Sequence, residues 1–459
     1  MRSPGLTARG RLMNPSLPPA LSLPSLFQTI RFVKKPIPLL QECKKQLGEV
    51  FTIPLAGIGN MVFLTNPRDL KDLYTEDTQS LSASASNQIF FGPIMGPGSL
   101  LALDGVRHLR RRKLLMPFFH GQRVATYVRD MREITHRAMA GWQLGKPFAL
   151  LPEGRELALR IIFRTILGLS VEHLGELGEL LKLFAEKVVN SPLMSMPKLQ
   201  KDFGPYSPWG RVLGIMKKTD AMLMAEIARR RAASDNGADI LAQLLSAKDE
   251  DGRALTDSEI RDELLSLIVS GFEATAFGFS WAFERILSHP RVYEKIQAEL
   301  TEVLGKGELD AAALPKLEYL DAAIREVLRN RPLAPIAGTR QVIGPAKVAG
   351  YALPRGTIVT NCAYLIMNRP ELYPEPEVYR PERFLNSKDH PYDYPPFGGG
   401  TRRCVGMSLA LTMIKVVVAS AFTRARFGLD TPDAKAIRYG FFLVPEGGPR
   451  IRVLEWKKS

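Results

Sequence analysis

A glycine-rich loop surrounds one cysteine in the segment Phe397-Gly398-Gly399-Gly400-Thr401-Arg402-Arg403-Cys404-Val405-Gly406, and an apolar segment follows it from Met407. Backbone N–H donors and a helix N-terminus both stabilise a thiolate, and this loop offers both to Cys404. The glycines let the backbone approach a flat cofactor closely. An ordinary buried cysteine is the alternative, but five specified positions in ten give a chance match only on the order of 10⁻⁴. The pattern therefore predicts a cysteine that acts as a ligand.

The form F-x-x-G-x-R-x-C-x-G resembles the cysteine loop of the cytochrome P450 superfamily. The resemblance implies a haem b whose iron is bound by the Cys404 thiolate, which pushes electron density toward cleavage of the O–O bond. It also implies haem contacts from Phe397, Gly400, Arg402 and Gly406, with Phe397 shielding the sulfur and Arg402 neutralising a propionate. The implied fold is mainly α-helical with a minor β-sheet region, a helical prism around the buried haem.

Two further segments of the sequence match the family's pattern in the expected order. Glu326 and Arg329 are three residues apart on a predicted helix and share one face. Such a pair alone is usually a solvated surface pair, but Pro381-Glu382-Arg383-Phe384 resembles the family's PERF segment. The resemblance implies that Glu326, Arg329 and Arg383 form a buried structural ion network behind the cysteine loop. Breaking one partner of such a network costs roughly 3–5 kcal/mol.

A basic segment, His108-Leu109-Arg110-Arg111-Arg112, resembles the family's helix whose His and Arg meet the haem propionates. His108 and Arg112 are four residues apart and therefore share a helix face. Arg340, eleven residues after Arg329, is similar to another propionate-binding arginine, and a solvated loop arginine is the alternative there. The remaining basic side chains of the segment are expected to stay solvated: Arg110, Arg111 and Lys113.

The segment Ser270-Gly271-Phe272-Glu273-Ala274-Thr275 resembles the family's oxygen-activating A-G-x-[D/E]-T-T segment. The resemblance implies that Gly271 opens the helical hydrogen bonding over the iron. It also implies that Glu273 is the acid of an acid–alcohol pair that delivers protons. Ala274 stands where the family usually has threonine, and the hydroxyl of Thr275 is rotated by ~100° around the helix. Either Thr275 substitutes for the missing threonine, or water or a substrate hydroxyl relays the protons.

Helical periodicity dominates the remaining chain, and proline or glycine separates most of the periodic segments. The expected helices cover residues 122–142, 153–168, 172–189, 211–232, 257–288, 290–304, 316–330 and 406–422. The strand-like segments are 52–64, 345–349, 357–361, 441–444 and 450–454. We expect one domain over residues 21–459 after a Pro-rich, disordered lead-in over residues 1–20.

Two of these helices contain segments that are apolar enough to be mistaken for membrane spans, Leu264–Phe283 and Met407–Phe422. The first is diluted by serine, threonine and glycine and contains Glu273, and the second is short. We therefore expect two core helices and no membrane span.

Composition excludes several other classes of protein. The 459 residues include 45% hydrophobic and 24% charged residues, the balance of an ordinary globular chain. Three isolated cysteines form neither a disulfide framework nor a zinc cluster, which favours a reducing compartment and a cytoplasmic protein. The net charge of +15 fits nucleic acid, an anionic membrane or an acidic protein partner. Basic–aromatic interleaving of the nucleic-acid kind is absent from the sequence.

The source of electrons is expected to be a separate protein. The sequence contains no G-x-G-x-x-G, and too few cysteines for an iron–sulfur cluster. Electrons from NAD(P)H would reach the haem through a ferredoxin or flavodoxin with its reductase. An acidic redox partner would dock on a basic surface beside the cysteine, formed by Arg110, Arg111, Lys113 and Arg403. We expect the enzyme itself to be a monomer.

The resemblance also places segments around the substrate. These residues are apolar, which implies a lipophilic substrate. About half of them are expected to fill the core instead of lining the pocket. The expected pocket residues are Phe90, Phe91, Phe272, Ile336 and Phe441, with the stretch 186–215 that includes Met194 and Met196. The segment 391–396 resembles the corresponding segment in a bacterial branch of the family that is related to fatty-acid hydroxylases.

The expected reaction is hydroxylation or epoxidation of a fatty acid, a terpenoid or a macrolide of secondary metabolism, with one oxygen atom taken from O2. Two alternatives stay open: a haem-thiolate peroxygenase or isomerase that needs no redox partner, and a haem-thiolate sensor that only binds ligands.

Overall fold

The computed structural model describes residues 16–75, 79–92, 94–169, 171–189, 191, 193, 200–233, 237–386, 390 and 392–457. The α-helices of this part are α1 (Ser25–Lys34), α2 (Pro36–Leu47), α3 (Leu70–Thr75), α4 (Ala83–Phe91), α5 (Gly105–Leu115), α6 (Gln122–Met139), α7 (Leu150–Leu167), α8 (Val171–Phe184), α9 (Pro208–Ala232), α10 (Ile240–Ser246), α11 (Asp257–Leu287), α12 (Pro290–Leu304), α13 (Glu318–Asn330), α14 (Ala363–Met367) and α15 (Met407–Arg424). The strands are β1 (Val50–Leu55), β2 (Gly59–Leu64), β3 (Leu81–Ser82), β4 (Phe148–Ala149), β5 (Ala337–Val342), β6 (Ala346–Val348), β7 (Tyr351–Leu353), β8 (Ile358–Asn361), β9 (Ala425–Leu429), β10 (Ala436–Tyr439), β11 (Phe442–Pro445) and β12 (Arg450–Trp456). Helix therefore predominates, as the sequence predicts.

The strands form small sheets at the edges of the helical body. The largest has the order β1-β2-β8-β5-β3, in which β2 and β8 run parallel and the other pairs are antiparallel. A three-stranded sheet has the order β4-β12-β9, and two hairpins pair β10 with β11 and β6 with β7. The hairpin of β1 and β2 turns through Gly57, whose φ of 81° lies in the left-handed region that glycine tolerates.

Helix α11 runs through the centre of the core. It begins at a capping box, in which the Thr256 hydroxyl accepts from the Glu259 N–H at 3.2 Å and Glu259 accepts from the Thr256 N–H at 3.0 Å. Gly278 lets α15 approach α11 closely, because a Cβ at this position would lie 2.7 Å from the Cδ1 of Ile414 on α15. In their most apolar windows α11 and α15 are 72% and 56% buried, so these two helices belong to the core.

The predicted elements agree with the structure in type, and their ends shift by a few residues. Helix α12 has the predicted bounds, whereas α9 starts three residues earlier, at Pro208, because Ser207 caps its first turn through the Gly210 N–H. The segment predicted over 172–189 is α-helical to Phe184 and continues as a π-helix over Ala185–Val189. Short helices such as α3 and α14 were not predicted, because six or five residues carry too little periodicity.

The lead-in predicted over residues 1–20 requires one correction. Residues 1–15 lie outside the described part, but residues 16–20 are ordered against the largest sheet. The carbonyl of Pro19 accepts from the Thr52 N–H at 2.8 Å, and the carbonyl of Pro18 accepts from the Thr52 hydroxyl at 2.8 Å. Proline lacks an N–H but keeps its acceptor, so a Pro-rich segment can still add to the edge of a sheet.

Candidate active site

The cysteine loop is held by its own backbone at the start of α15. The Cys404 N–H donates to the Phe397 carbonyl at 3.0 Å, which closes the loop three residues before the helix begins. Gly398 and Gly400 have φ values of 69° and 62°, in the left-handed region that other residues avoid. The Cys404 side chain is accessible but surrounded by protein, as expected for a group that lines a recess. This burial raises the pKa of the thiol, while the Gly406 N–H and the charge of Arg112 act to lower it.

Tyr74 supports this loop and was not predicted from the sequence. A Cβ at Gly399 would lie 2.6 Å from Cε2 of Tyr74, and a Cβ at Gly338 would lie 2.6 Å from its hydroxyl. The Asn361 amide donates to the Tyr74 hydroxyl, and the buried ring stacks on Tyr392 with centroids 5.8 Å apart. The only signal in the sequence was the glycine triplet, which indicates a close neighbour without identifying it.

Gly399→Ala is expected to destabilise the loop by about 1–3 kcal/mol, because the new methyl group overpacks against the Tyr74 ring. The measurement is thermal unfolding of the haem-loaded protein together with its reduced carbon-monoxide spectrum. Gly214→Ala, on α9, is the matched control, since a Cβ there meets nothing within 4 Å. Equal unfolding temperatures for the two variants would show that Tyr74 does not set the position of the loop.

A set of basic side chains gathers beside the cysteine loop. His108 is buried on α5, and burial together with the charges of Arg402, Arg112 and Arg340 lowers its pKa to about 3, with Asp104 opposing them. Burial also lowers the pKa of Arg112, and the nearby Cys404 acts to raise it. The structure therefore brings the predicted His108, Arg112, Arg340 and Arg402 together, and three arginines surround one neutral imidazole.

The individual contacts of these arginines differ. Arg402 donates to the Leu103 carbonyl at 2.6 Å and to the Asp104 carboxylate, which ties the cysteine loop to the start of α5. Arg340 is buried on β5, donates to the Thr339 carbonyl at 3.0 Å and lies over the Tyr74 ring at 5.8 Å. The Asp104 carboxylate is therefore the counter-charge of Arg402 in this group.

This donor set fits a haem. A single thiol in a glycine-lined recess suits one axial ligand on a flat macrocycle, and surplus positive charge suits the two carboxylates of its propionates. Within the described residues, no group of three or more His, Cys, Asp and Glu side chains could hold a bare metal ion.

Glu326, Arg329 and Arg383 come together behind this site. Arg329 donates through Nε and Nη2 to the two Glu326 oxygens at 2.6 and 2.8 Å, and both side chains are completely buried. Arg383 places its Nε 3.4 Å from Glu326, and the Arg380 N–H donates to the same carboxylate at 3.0 Å. Arg329 also donates to the Met367 carbonyl at 2.9 Å. The network thus joins α13 to the segment that leads into the cysteine loop.

An accessible stripe interrupts the buried surface of α11. Leu267, Ser270, Gly271 and Ala274 are accessible at spacings of three and four residues, while Phe272, Glu273 and Thr275 are buried. Gly278 continues the same face onto α15, the helix that follows Cys404. This face of α11 therefore meets α7 at Gly271 and α15 at Gly278.

The predicted opening of α11 at Gly271 is wrong for this structure, because the helix is continuous from Asp257 to Leu287. A Cβ at Gly271 would lie 3.0 Å from Ile162 on α7, so this glycine permits close packing of the two helices. The Thr275 hydroxyl donates to the Gly271 carbonyl at 2.6 Å, a bond that satisfies the carbonyl without breaking the helix. Ser270 donates to the Ser266 carbonyl at 2.6 Å in the same way.

Arg155 is a second residue that the sequence did not single out. Its guanidinium lies 3.6 Å from the buried Glu273 carboxylate, and also 4.8 Å from the Tyr439 ring centre and 5.5 Å from that of Phe277. The aromatic faces hold the cation in place. The pair joins α7 to α11 over a separation of 118 residues, which no local pattern reveals.

The predicted pocket residues divide into two groups. Phe441 contacts Phe90 and Phe91 with ring centroids 5.9 and 4.9 Å apart, and Ile336 packs with Phe90 against the same small core cluster. Phe272 is buried in the main core instead. The predicted Met194, Met196 and Pro391 lie outside the described residues.

The predicted basic docking surface needs one correction. Arg111 is buried rather than solvated, because it donates to Glu263 at 2.8 Å and to Glu259 at 2.7 Å. Arg110 and Lys113 are exposed and pair with Asp251 and Glu250, which reduces the net positive charge of this surface. Arg403 is exposed beside the cysteine.

Comparisons with known proteins agree with this geometry. The family model described as Cytochrome P450 matches residues 15–451. The chain is 35% identical over 441 residues to “Putative cytochrome P450 135B1” of Mycobacterium tuberculosis, which covers 95% of this chain and 91% of that protein. It is 34% identical over 441 residues to “Putative cytochrome P450 138” of Mycobacterium bovis, with 95% and 96% covered. The solved structure of retinoic acid bound cyanobacterial CYP120A1 shares the fold, with a TM-score of 0.83 and 24% identity over 97% of this chain and 100% of that chain.

Proposed function

The chain belongs to the cytochrome P450 family, and on that premise we propose that it inserts one oxygen atom of O2 into a lipophilic small molecule by hydroxylation or epoxidation. Family membership makes it a haem-thiolate oxygenase in general terms. The observation that supports this proposal is the Cys404 thiol in a glycine-rich loop, close to Arg112 and to the buried His108.

The residues that would hold the haem follow from this arrangement. Cys404 would bind the iron, and Phe397, Gly400 and Gly406 would lie against the macrocycle. The charges of Arg112, Arg340 and Arg402 would neutralise the propionates, and the neutral imidazole of His108 would donate a hydrogen bond to them. When bound, this group supplies the activation of dioxygen.

Proton delivery would start from Glu273. Arg155 fixes the position of this buried carboxylate at 3.6 Å. Thr275 offers a hydroxyl on the buried side of α11, and that hydroxyl is already engaged with the Gly271 carbonyl. Ser270 offers a hydroxyl on the accessible stripe, one turn before Ala274, and that hydroxyl is likewise engaged, with the Ser266 carbonyl. We therefore infer that Ser270 shares with Thr275 the role of the alcohol that Ala274 lacks.

Ser270→Ala is expected to lower the share of NAD(P)H electrons that reach product, with a loss of up to about a hundredfold in rate if its hydroxyl is the main proton donor. Ala274→Thr is expected to raise the share of NAD(P)H electrons that reach product. The measurement is product and hydrogen peroxide formed per NAD(P)H consumed. Thr275→Val is the comparison variant, because it removes the other hydroxyl with little change in the shape of the side chain. If Thr275→Val loses coupling while Ser270→Ala does not, Thr275 alone is the proton donor.

The substrate class is tested by titrating the ferric protein's Soret band with saturated fatty acids, terpenoids and macrolides. The aromatic cluster of Phe90, Phe91 and Phe441 favours a lipophile. A saturable shift from low to high spin that depends on fatty-acid chain length would support a fatty-acid hydroxylase. A shift with a polycyclic or macrocyclic compound alone would point to secondary metabolism instead. Turnover that continues without ferredoxin would favour a peroxygenase or isomerase.

The electron donor and the compartment are part of the same proposal. A ferredoxin or flavodoxin with its NAD(P)H-dependent reductase would dock beside Arg403, and Arg107 extends the exposed positive charge of α5. Cys43 and Cys362 are free buried thiols, and burial raises the pKa of each to about 12. Free thiols suit a reducing cytoplasm.

A further inference from the structure

Helix α1 is inverted relative to an ordinary surface helix. Its buried residue is polar, since Gln28 is fully covered and donates to the carbonyls of Leu21 at 3.2 Å and Leu23 at 2.8 Å. Phe32 packs against Phe63, with ring centroids 6.0 Å apart, but the other apolar residues of the helix face solvent, with exposed fractions of 46–63%: Leu26, Phe27, Ile30 and Val33. A surface helix of a globular protein normally buries its apolar face.

These apolar residues form one continuous face. Leu26, Ile30 and Val33 follow at spacings of four and three residues, so they line one side of the helix. Phe27 and Lys34 flank that side, since Lys34 lies one turn after Ile30 and two turns after Phe27. Four large apolar side chains grouped on a ten-residue helix indicate an interaction site rather than scattered surface residues.

The charge around this face has one sign. The first acidic residue of the sequence is Glu42, and it pairs with Arg31 at 2.5 Å. All six charged side chains among residues 1–41 are basic: Arg2, Arg9, Arg11, Arg31, Lys34 and Lys35. Lys34 and Lys35 are exposed directly after the apolar face. This part of the chain therefore combines exposed apolar surface with positive charge.

A series of contacts leads from α1 to the aromatic cluster proposed for the substrate. Arg438 on β10 donates to the Phe32 carbonyl at 3.0 Å and lies over the Phe32 ring at 5.5 Å. The hairpin of β10 and β11 continues to Phe441, which contacts Phe90 and Phe91. Helix α1 is thus attached to the hairpin that carries one wall of that cluster.

We propose that α1 docks this protein on the surface of an anionic lipid membrane, with the apolar face in the headgroup and acyl boundary and the lysines against lipid phosphates. An amphipathic helix with large apolar side chains and flanking basic residues has this chemistry. Lys34 and Lys35 of a second copy would repel the same two lysines of the first at this interface, which disfavours a dimer. The proposal adds a membrane-surface location to the proposed function and does not depend on the haem.

The test is cosedimentation of the haem-loaded full chain with vesicles of phosphatidylglycerol and phosphatidylcholine, compared with phosphatidylcholine alone. We expect binding to the anionic vesicles that weakens with salt. Phe27→Ser with Ile30→Ser is expected to reduce the affinity at least about tenfold, and Lys34→Gln with Lys35→Gln about tenfold or more. The matched controls are similarly exposed and should bind like the unchanged protein: Leu144→Ser with Leu454→Ser, and Lys217→Gln with Lys218→Gln.

Three outcomes would overturn the proposal: no vesicle binding, equal binding to neutral and anionic vesicles, or unchanged binding of both α1 variants. A mass of twice 51.1 kDa that is lost in Phe27→Ser with Ile30→Ser would assign the face to a second copy. The reduced carbon-monoxide spectrum of the same samples separates this question from the haem chemistry. Vesicle binding by a protein without a thiolate spectrum would support the membrane proposal and contradict the proposed function.

Discussion

Cys404→Ala is expected to abolish the red-shifted Soret band of the reduced carbon-monoxide complex and all oxygenase turnover. Only this cysteine lies in the glycine-lined recess beside the basic cluster, whereas Cys43 and Cys362 are buried in a separate core cluster among apolar side chains. A thiolate ligand is what shifts this band and promotes O–O cleavage. The measurement is the difference spectrum of the haem-reconstituted variant, with turnover measured in parallel.

The matched control is Cys362→Ala, which also removes one sulfur. This variant should keep the spectrum and turnover but unfold at a lower temperature, because it leaves a small cavity in the core. Two outcomes would contradict the assignment: a red-shifted band retained in Cys404→Ala, or one lost in Cys362→Ala while the protein remains folded.

Glu326→Gln is expected to lower the free energy of unfolding by roughly 3–5 kcal/mol, because it leaves the buried Arg329 guanidinium without a counter-charge. Arg329 would keep its bonds to the carbonyls of Met367 at 2.9 Å and Pro376 at 2.7 Å, which solvate the cation but do not neutralise it. The measurement is denaturant unfolding of the haem-loaded protein. Haem loading should fall as well, since Arg383 and Arg380 join this carboxylate to the segment before the cysteine loop.

Glu375→Gln is the matched control for the same change of charge nearby. Glu375 pairs with Arg380 at 2.5 Å but is exposed, so its loss should change the free energy of unfolding far less than Glu326→Gln does. Adding Arg329→Met to Glu326→Gln should recover part of the loss, because the unpaired charge is then removed. Equal effects of Glu326→Gln and Glu375→Gln would mean that the buried network does not stabilise the fold.

The features that could be predicted from the sequence are those determined by nearby residues. The capping box of α11 depends on Thr256 and Glu259, three residues apart, and the cysteine loop is specified within ten residues. Both patterns can be read from the sequence alone, and the cysteine loop was identified through its resemblance to a family. Helix α12 was predicted with its observed bounds because proline opens it and glycine follows it.

The features that could not be predicted depend on partners distant in the sequence. Arg111 sits in a basic segment that suggests solvent, yet Glu259 and Glu263, about 150 residues later, bury it in ion pairs. Tyr74 and Arg155 carry no motif, and only packing places them against the cysteine loop and Glu273. Gly271 was assigned to helix opening, whereas the close approach of α7 requires it.

The order of events in folding follows from the buried network on α13. Glu326 and Arg329 lie three residues apart, so their contact can form as soon as the helix does. Arg380 and Arg383 reach the same carboxylate across more than fifty residues, and such non-local contacts form slowly. We therefore expect α13 to form first during folding, and the segment before Cys404 to pack against it in a later step. A refolding chain would capture haem only after that step, so the rate of haem uptake reports docking of this segment rather than helix formation.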